Sequence, residues 1–290
     1  MQNLPSHLID GVMIGSLYAL IALGYTMVYG VLKLINFAHG DVFMVGAYAG
    51  LFAGLAVGAD ADPSPLKIAV IVLAAVAACV ILGLLIERLA YRPLRTAPRL
   101  TALITAIGIS LFLENGAQKL WTANPRSFPD LIPNAALRPY IVVGTALLLA
   151  LALEFIVKRT RVGRAMRAVS QDKDAAALMG ISVDRIIAFT FALGSALAAA
   201  AAILYVSVNP KITPTMGLML GLKAFVAAVI GGIGSLPGAL MGGIILGLAE
   251  ELISGYGASS YRDAIAFGLL IAILIFRPSG LLGRGMVEKV

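Results

Sequence analysis

A single cysteine, Cys79, stands in the whole chain. No intrachain disulfide can form, and no thiolate cluster can hold a metal. Cys79 lies inside an apolar run and reads as a small packing residue. The two histidines, His7 and His39, add too little for a metal set. Charge is scarce as well: 13% of the 290 residues are Asp, Glu, Lys or Arg, against about 25% in soluble domains. That excludes a soluble globular domain as the bulk of the chain. No G-x-x-x-x-G-K-[ST] occurs, so no P-loop cradles a nucleoside triphosphate here. Gly232-Ile233-Gly234 begins like a dinucleotide fingerprint, but Pro237 takes the third glycine's place and no βαβ unit surrounds it. The first basic residue is Lys33, so the first apolar run lacks the basic flank of a cleaved signal peptide and is expected to be a retained span.

What remains is apolar: 60% of the residues are hydrophobic. A helical span needs about 20 apolar residues. The chain therefore reads as an all-α integral membrane protein, one polytopic helical bundle of about eight or nine spans over residues 1–290. Apolar segments fall near 8–30, 36–58, 66–87, 101–121, 139–157, 183–206, 217–254 and 261–277. The stretch 217–254 is too long for one simple span, and Gly231–Gly238 interrupts it; a helix, a break and a second helix are expected.

Orientation follows from arginine and lysine. Loop 88–99 carries Arg88, Arg92, Arg95 and Arg99, loop 158–184 a basic cluster, and the tail Arg277, Arg284 and Lys289. The alternate loops are poorer: Asp60 and Asp62 near 59–66, and only Lys211 in 207–216. The positive-inside rule then places the basic loops and the C-terminus in the cytoplasm and the N-terminus outside. The net charge of +7 is this bias; no nucleic-acid partner is expected, and membrane lipid is.

Glycines recur at four-residue spacing in two strips: Gly46, Gly50, Gly54 and Gly58, then Gly234, Gly238 and Gly242. On a helix such a strip lies on nearly one face and lets backbones approach. Each half has an apolar span followed by a Gly-rich, interrupted one, 8–30 then 31–58 and 183–206 then 217–254, starting from opposite sides. An inverted repeat with broken helices has this form. Ionisable residues at membrane depth are costly. Lys33, His39 and Asp41 in KLINFAHGD, then Glu114, Lys223, Glu250 and Glu251, are the candidates. Asn36, His39 and Asp41 are expected to cap a helix at a break or to line a substrate path. Lys223 and Glu250 sit on the two arms of the broken segment and can pair. Glu114 can snorkel or bridge to a neighbouring helix.

One polar island interrupts the pattern: KRTRVGRAMRAVSQDKDAAALMGISVD, Lys158 to Asp184. It is basic at its start and helix-compatible later, and it carries Asp174-Ala175-Ala176 followed after three residues by Gly180. This D-A-A-x3-G stretch resembles the EAA-type cytoplasmic loop of bacterial ABC importer permeases. The stretches at 15–48, ERLAYRPLR (87–95), LITAIGISLFLEN (103–115), GRAMRAVSQDKDAAALMGI (163–181), KAFVAAVIGGIGSLPGALMGGIILGLAE (223–250) and the final VEKV resemble the LivH-type permeases of branched-chain amino acid importers. The I-x-L-P continuation of the classical loop is missing, since Ile186-Ile187-Ala188-Phe189 follows; the LivH-type subgroup is similar in this.

The resemblance implies a permease subunit in the bacterial inner membrane, not an enzyme. A periplasmic binding protein would deliver Leu, Ile or Val, and a second homologous, LivM-like permease would share the pathway. Two ATPase subunits would drive it. ATP would bind those partners, with no cofactor or metal on this chain. Gly163, Arg164, Arg167, Asp174, Ala175, Ala176 and Gly180 would form the coupling loop. Asn36, His39, Asp41, Gly231, Gly232, Gly234 and Ser235 would lie on the translocation path, with Phe37, Val42, Phe225 and Ile233 as its apolar wall. Related permeases carry urea, short amides or other amino acids. From the residues alone, an ion-coupled secondary transporter using His39, Asp41 and Glu114, or a Gly-rich channel, stays open.

Overall fold

A computed structural model describes residues 4–59, 63–95, 97–256 and 259–283. Asp60, Asp62, Arg284, Lys289 and the final VEKV, used above for orientation and resemblance, lie outside them. The described chain is helical apart from one two-residue strand pair. In order come α1 (Leu4–Leu32), α2 (His39–Ala56), α3 (Pro65–Ile86) with a π turn (Glu87–Tyr91), α4 (Arg99–Trp121), β1 (Arg126–Ser127) and α5 (Arg138–Arg159). Then follow α6 (Arg161–Gln171), α7 (Lys173–Leu178), α8 (Val183–Val208), β2 (Lys211–Ile212), α9 (Met216–Gly231), α10 (Leu236–Gly255) and α11 (Arg262–Phe276). Among the described residues, six helices are long and apolar enough to cross a membrane: those at Leu4–Leu32, Pro65–Tyr91, Leu100–Trp121, Ala135–Arg159, Val183–Val208 and Leu236–Gly255. The shorter α2, α9 and α11 supply the remaining expected segments, and α9 and α10 are the two arms expected of 217–254.

Local chemistry sets the boundaries. Pro65 begins α3 after the extended Ser64, because proline's fixed φ suits the first turn. The Ser235 hydroxyl accepts the Gly238 amide at 3.2 Å and starts α10, a Ser N-cap. α1 and α8 form the centre. α1 is buried almost without interruption from Gly15 to Val28, so it cannot be amphipathic. α3, α4 and α5 leave Leu73, Ile81, Leu89, Phe112, Leu148 and Phe155 exposed, the faces a hydrocarbon solvent accepts.

Small residues let the centre close. A Cβ on Gly15 would sit 2.7 Å from Ile244 Cα, and one on Gly247 2.3 Å from Gly15 Cα. That puts α1 and α10 backbone to backbone. The strip along α2 packs as expected: Gly46 faces Cys79 and Ala199, Gly50 faces Ile203, and Gly54 faces Pro129. Gly58 lies past the helix end at φ 63°. The second strip needs correcting. Gly238 and Gly242 press on α9 at Gly231 and Ala227, but Gly234 is in the break at φ 96° with open space beside it. Sequence spacing registers a helix face only where the helix exists.

The two halves touch through equivalent helices. α1 meets α8 where Gly24 lies against Gly194, and α2 meets α9 where Gly40 lies against Gly217 and Gly221. At one end of the bundle β1 pairs antiparallel with β2, which joins the loops after α4 and α8. At the other, Arg92 and Arg95 pair with Asp184, which joins the loop after α3 to the first turn of α8.

Candidate functional site

Two regions hold the residues singled out from sequence. The first is the polar island. Thr160 caps α6 by accepting the Gly163 amide at 3.1 Å. The turn out of α5 is tight enough that a Cβ on Gly163 would sit 2.2 Å from the carbonyl oxygens of Ile156 and Val157. α6 buries Gly163, Met166 and Val169 and exposes Arg164. Arg167 stays exposed and folds back to donate to the Val157 carbonyl. Asp172 caps α7, its Oδ1 accepting the amides of Asp174 and Ala175 at 2.9 Å each. Gly180, at φ 81°, ends it. The Gly180 amide donates to Ala177 O and the Ile181 amide to Ala176 O, both at 3.0 Å. This pair of bonds is a Schellman motif, whose left-handed residue favours glycine. Ala176 is buried, while Leu178 and Met179 are 89% and 81% exposed. An apolar pair held out on a capped helix end in a polar loop is shaped to be covered. Sequence reasoning missed Leu178 and Met179; their signal was two large apolar residues next to the glycine of a charged loop.

Lys173, at the start of α7, is half-buried near Arg95. Burial, and then the Arg95 guanidinium, hold its ammonium pKa below the usual lysine range. α7 packs against α6 and α8.

The second region is the interruption between α1 and α2. α1 ends at Lys33, whose φ of 61° is left-handed without being glycine. Residues 33–38 then run irregularly to α2. The capping expectation for Asn36, His39 and Asp41 is corrected here. The N-cap of α2 is Ala38 with no side-chain bond. His39 and Asp41 lie inside the first turn because they are drawn into the core. His39 packs on Gly24, where a Cβ would sit 2.1 Å from Nε2, and meets Tyr25 edge-on at 4.9 Å. Asp41 faces Ser110 and Glu114 of α4. His39, Asp41 and Glu114 are all buried. His39 Nε2 and Glu114 Oε1 have no hydrogen-bond partner among the described residues, and the Asp41 carboxylate meets only the nearby Ser110 side chain, short of good hydrogen-bond geometry. Glu114 faces Asp41 across the α2–α4 contact and forms no ion pair among the described residues. Asn36 Oδ1 instead accepts from the Tyr91 hydroxyl. Phe37 and Phe225 are brought together, ring centroids 5.5 Å apart, and Val42 is buried nearby on α2.

The break between α9 and α10 is placed elsewhere, at the far end of α9. Gly232 is at φ 101°, and a Cβ there would meet Gly283 N at 2.4 Å. The carbonyls of Ile230 and Gly231 accept the amides of Leu281 and Leu282, both at 2.9 Å. The segment after α11 thereby closes the open end of α9. The expected Lys223–Glu250 pair is present at 3.1 Å and buried. It extends to Asp263 at 2.8 Å and to the Tyr18 hydroxyl, which donates to Glu250 at 2.8 Å. These ions are structural cross-links among α1, α9, α10 and α11.

A helical bundle with glycine-lined crossings, interrupted spans and a capped polar loop between α5 and α8 defines a multi-pass membrane permease. The family model for the permease component of branched-chain amino acid transport systems matches residues 7–274, and the chain belongs to that family. It is 44% identical to the high-affinity branched-chain amino acid transport system permease protein BraD of Pseudomonas aeruginosa, over 98% of this chain and 97% of that one. It is 43% identical to LivH of Escherichia coli K12, over 97% and 96%. A ribose import permease protein, RbsC of Escherichia coli K12, is more distant at 28% identity over 90% and 82%. Among solved structures, PsaBC from Streptococcus pneumoniae in complex with Fab has a similar fold, with a TM-score of 0.50, 13% identity, and coverage of 96% and 93%.

Proposed function

We propose that this chain is a permease subunit of an inner-membrane ABC importer that moves leucine, isoleucine and valine. A binding protein delivers the substrate, and a second, LivM-like permease completes the pathway. Two ATPase subunits bind the ATP. The observation that carries the reading is the tip of α7: Leu178 and Met179, presented bare beside Gly180 on a helix fixed by Asp172. That tip fits a groove on a soluble partner. Asp174, Ala175 and Arg164 are exposed contacts, Gly163 and Ala176 hold the loop's shape from beneath, and Arg167 ties it from outside to the Val157 carbonyl. The substrates follow from BraD and LivH, which share more than two-fifths of their residues with this chain over nearly its whole length.

The basic loops 88–99 and 158–184 face the cytoplasm and the β1–β2 end faces outward, with the N-terminus outside and the C-terminus inside. The arginine distribution supports this. The translocation path runs by Asn36, His39 and Asp41, whose buried polar side chains suit a zwitterion passing the Phe37–Phe225 wall. The Gly231, Gly232, Gly234 and Ser235 turn forms its second polar element, at the side left open by Gly234.

Uptake of radiolabelled leucine into proteoliposomes holding the purified complex tests this. Accumulation should require internal ATP and external binding protein, and should be indifferent to ionophores. Uptake that ionophores abolish and ATP does not drive would assign the chain to the ion-coupled class instead.

A further inference from the structure

The ERLAYRPLR stretch forms no part of the coupling tip or of the path, yet its geometry links them. Glu87–Tyr91 is a π turn, a rare distortion that tends to mark functional positions. It is clamped to α8 at two places about two helical turns apart. Near the start of α8, Asp184 pairs with Arg92 and Arg95, and Arg95 also holds Glu87. Deeper in, the Tyr91 ring packs on Phe191 at 5.2 Å. One turn before the π turn, Gly83 lies so close to α8 that a Cβ there would meet Ser195 Oγ at 2.0 Å. The end of α3 is therefore tied to the start of α8, and α7 joins them by packing directly against α8.

The π turn aims one polar atom at the interrupted segment. The Tyr91 hydroxyl, on a residue only 1% exposed, lies 3.2 Å from both Ile35 O and Asn36 Oδ1. The segment it holds is poised to change shape. Lys33 stands in a left-handed conformation that costs a non-glycine residue about 1–2 kcal/mol. A cavity of about 210 Å³, lined by Tyr29, Lys33, Leu34, Ile35, Ala102 and Leu103, adjoins it.

Resting on the function proposed above, we propose that Tyr91 is the positioning residue that sets the 33–38 segment, and through it His39 and Asp41. The Glu87–Arg95–Asp184 pairs make Tyr91 follow the coupling loop. When an ATPase displaces α7, α8 carries the π turn with it. The Tyr91 hydroxyl then pulls on or releases Ile35 and Asn36.

The test uses the complete complex in proteoliposomes, reading leucine uptake and binding-protein-stimulated ATP hydrolysis together. Tyr91→Phe should keep the stimulated hydrolysis and raise the ATP consumed per leucine on the order of tenfold, the scale of one buried hydrogen bond. Asp184→Asn, at a half-exposed surface position, should shift the same ratio in the same direction, and Asp184→Glu should restore it. Wild-type ratios in both Tyr91→Phe and Asp184→Asn would overturn the relay, as would a proportional fall of hydrolysis and uptake in both. Wild-type complex without ATP-driven uptake would instead overturn the importer assignment itself.

Discussion

The two interruptions of this bundle are built in opposite ways. Between α9 and α10 the chain breaks at Gly231–Ser235, and its backbone is stitched by its own tail: Leu281 and Leu282 donate to the carbonyls that α9 leaves open. Between α1 and α2 the described tertiary hydrogen bonds to the break all come from one side chain, Tyr91. Backbone-to-backbone stitching resists motion because every displaced carbonyl loses a buried partner. A single tyrosine hydroxyl on a separate helix end lets the segment move when that helix moves. The comparison teaches that broken helices in one chain need not share a role: one reads as a fixed hinge post, the other as the moving part.

The largest effect should come from filling the stitched break. In Gly231→Val a Cβ would lie 1.9 Å from Gly238 O, backbone against backbone, so no folded protein is expected; size-exclusion of the detergent extract should show aggregate or none. Next, Leu281→Pro removes the donor to Ile230 O. It should cost about 1–3 kcal/mol and lower the thermal midpoint by several degrees while the ATP-to-leucine ratio stays wild-type. An unchanged midpoint would mean the tail does not hold the break.

Gly180→Val tests the loop that the mobile break is proposed to follow. The space around Gly180 is open, so only its φ of 81° is at stake. A β-branched residue there should cost about 1–2 kcal/mol and loosen the helix end, lowering coupled uptake severalfold. Gly180→Asn, which tolerates this conformation, should come close to wild-type uptake. Equal uptake by the Val and Asn variants would remove the Schellman turn from coupling. The smallest stability effect belongs to Leu178→Ser at the exposed tip. Its melting curve should overlay the wild type, yet stimulated ATP hydrolysis should fall, because a desolvated contact with the partner is lost.

Much of this was legible in the residues. Apolar length placed the helices, since a span of hydrocarbon needs a run of apolar residues whatever its neighbours are. Gly231–Gly238 announced a break, and Lys223 and Glu250 announced a pair. Each signal is local, or it rests on a cost that any membrane interior imposes. Asn36, His39 and Asp41 were found as a cluster with two readings, caps or path, and only the capping one fails. A capping residue and a core-facing polar residue look alike until the helix phase and its neighbours are known. Gly234 was misjoined to Gly238 and Gly242 for the same reason.

The sequence by itself determined the class: an apolar, glycine-striped, multi-pass chain with a basic loop built to meet a partner. Those properties follow from solvent transfer and backbone conformation, which act residue by residue. Only the tertiary structure decided which break is stitched and which is held by Tyr91. It also showed that Arg167 is spent on Val157, that Leu178 and Met179 stand bare, and that Asp41 faces Ser110 and Glu114. Those facts depend on which helix faces meet, and contact between residues tens of positions apart is set by the packing of the whole bundle.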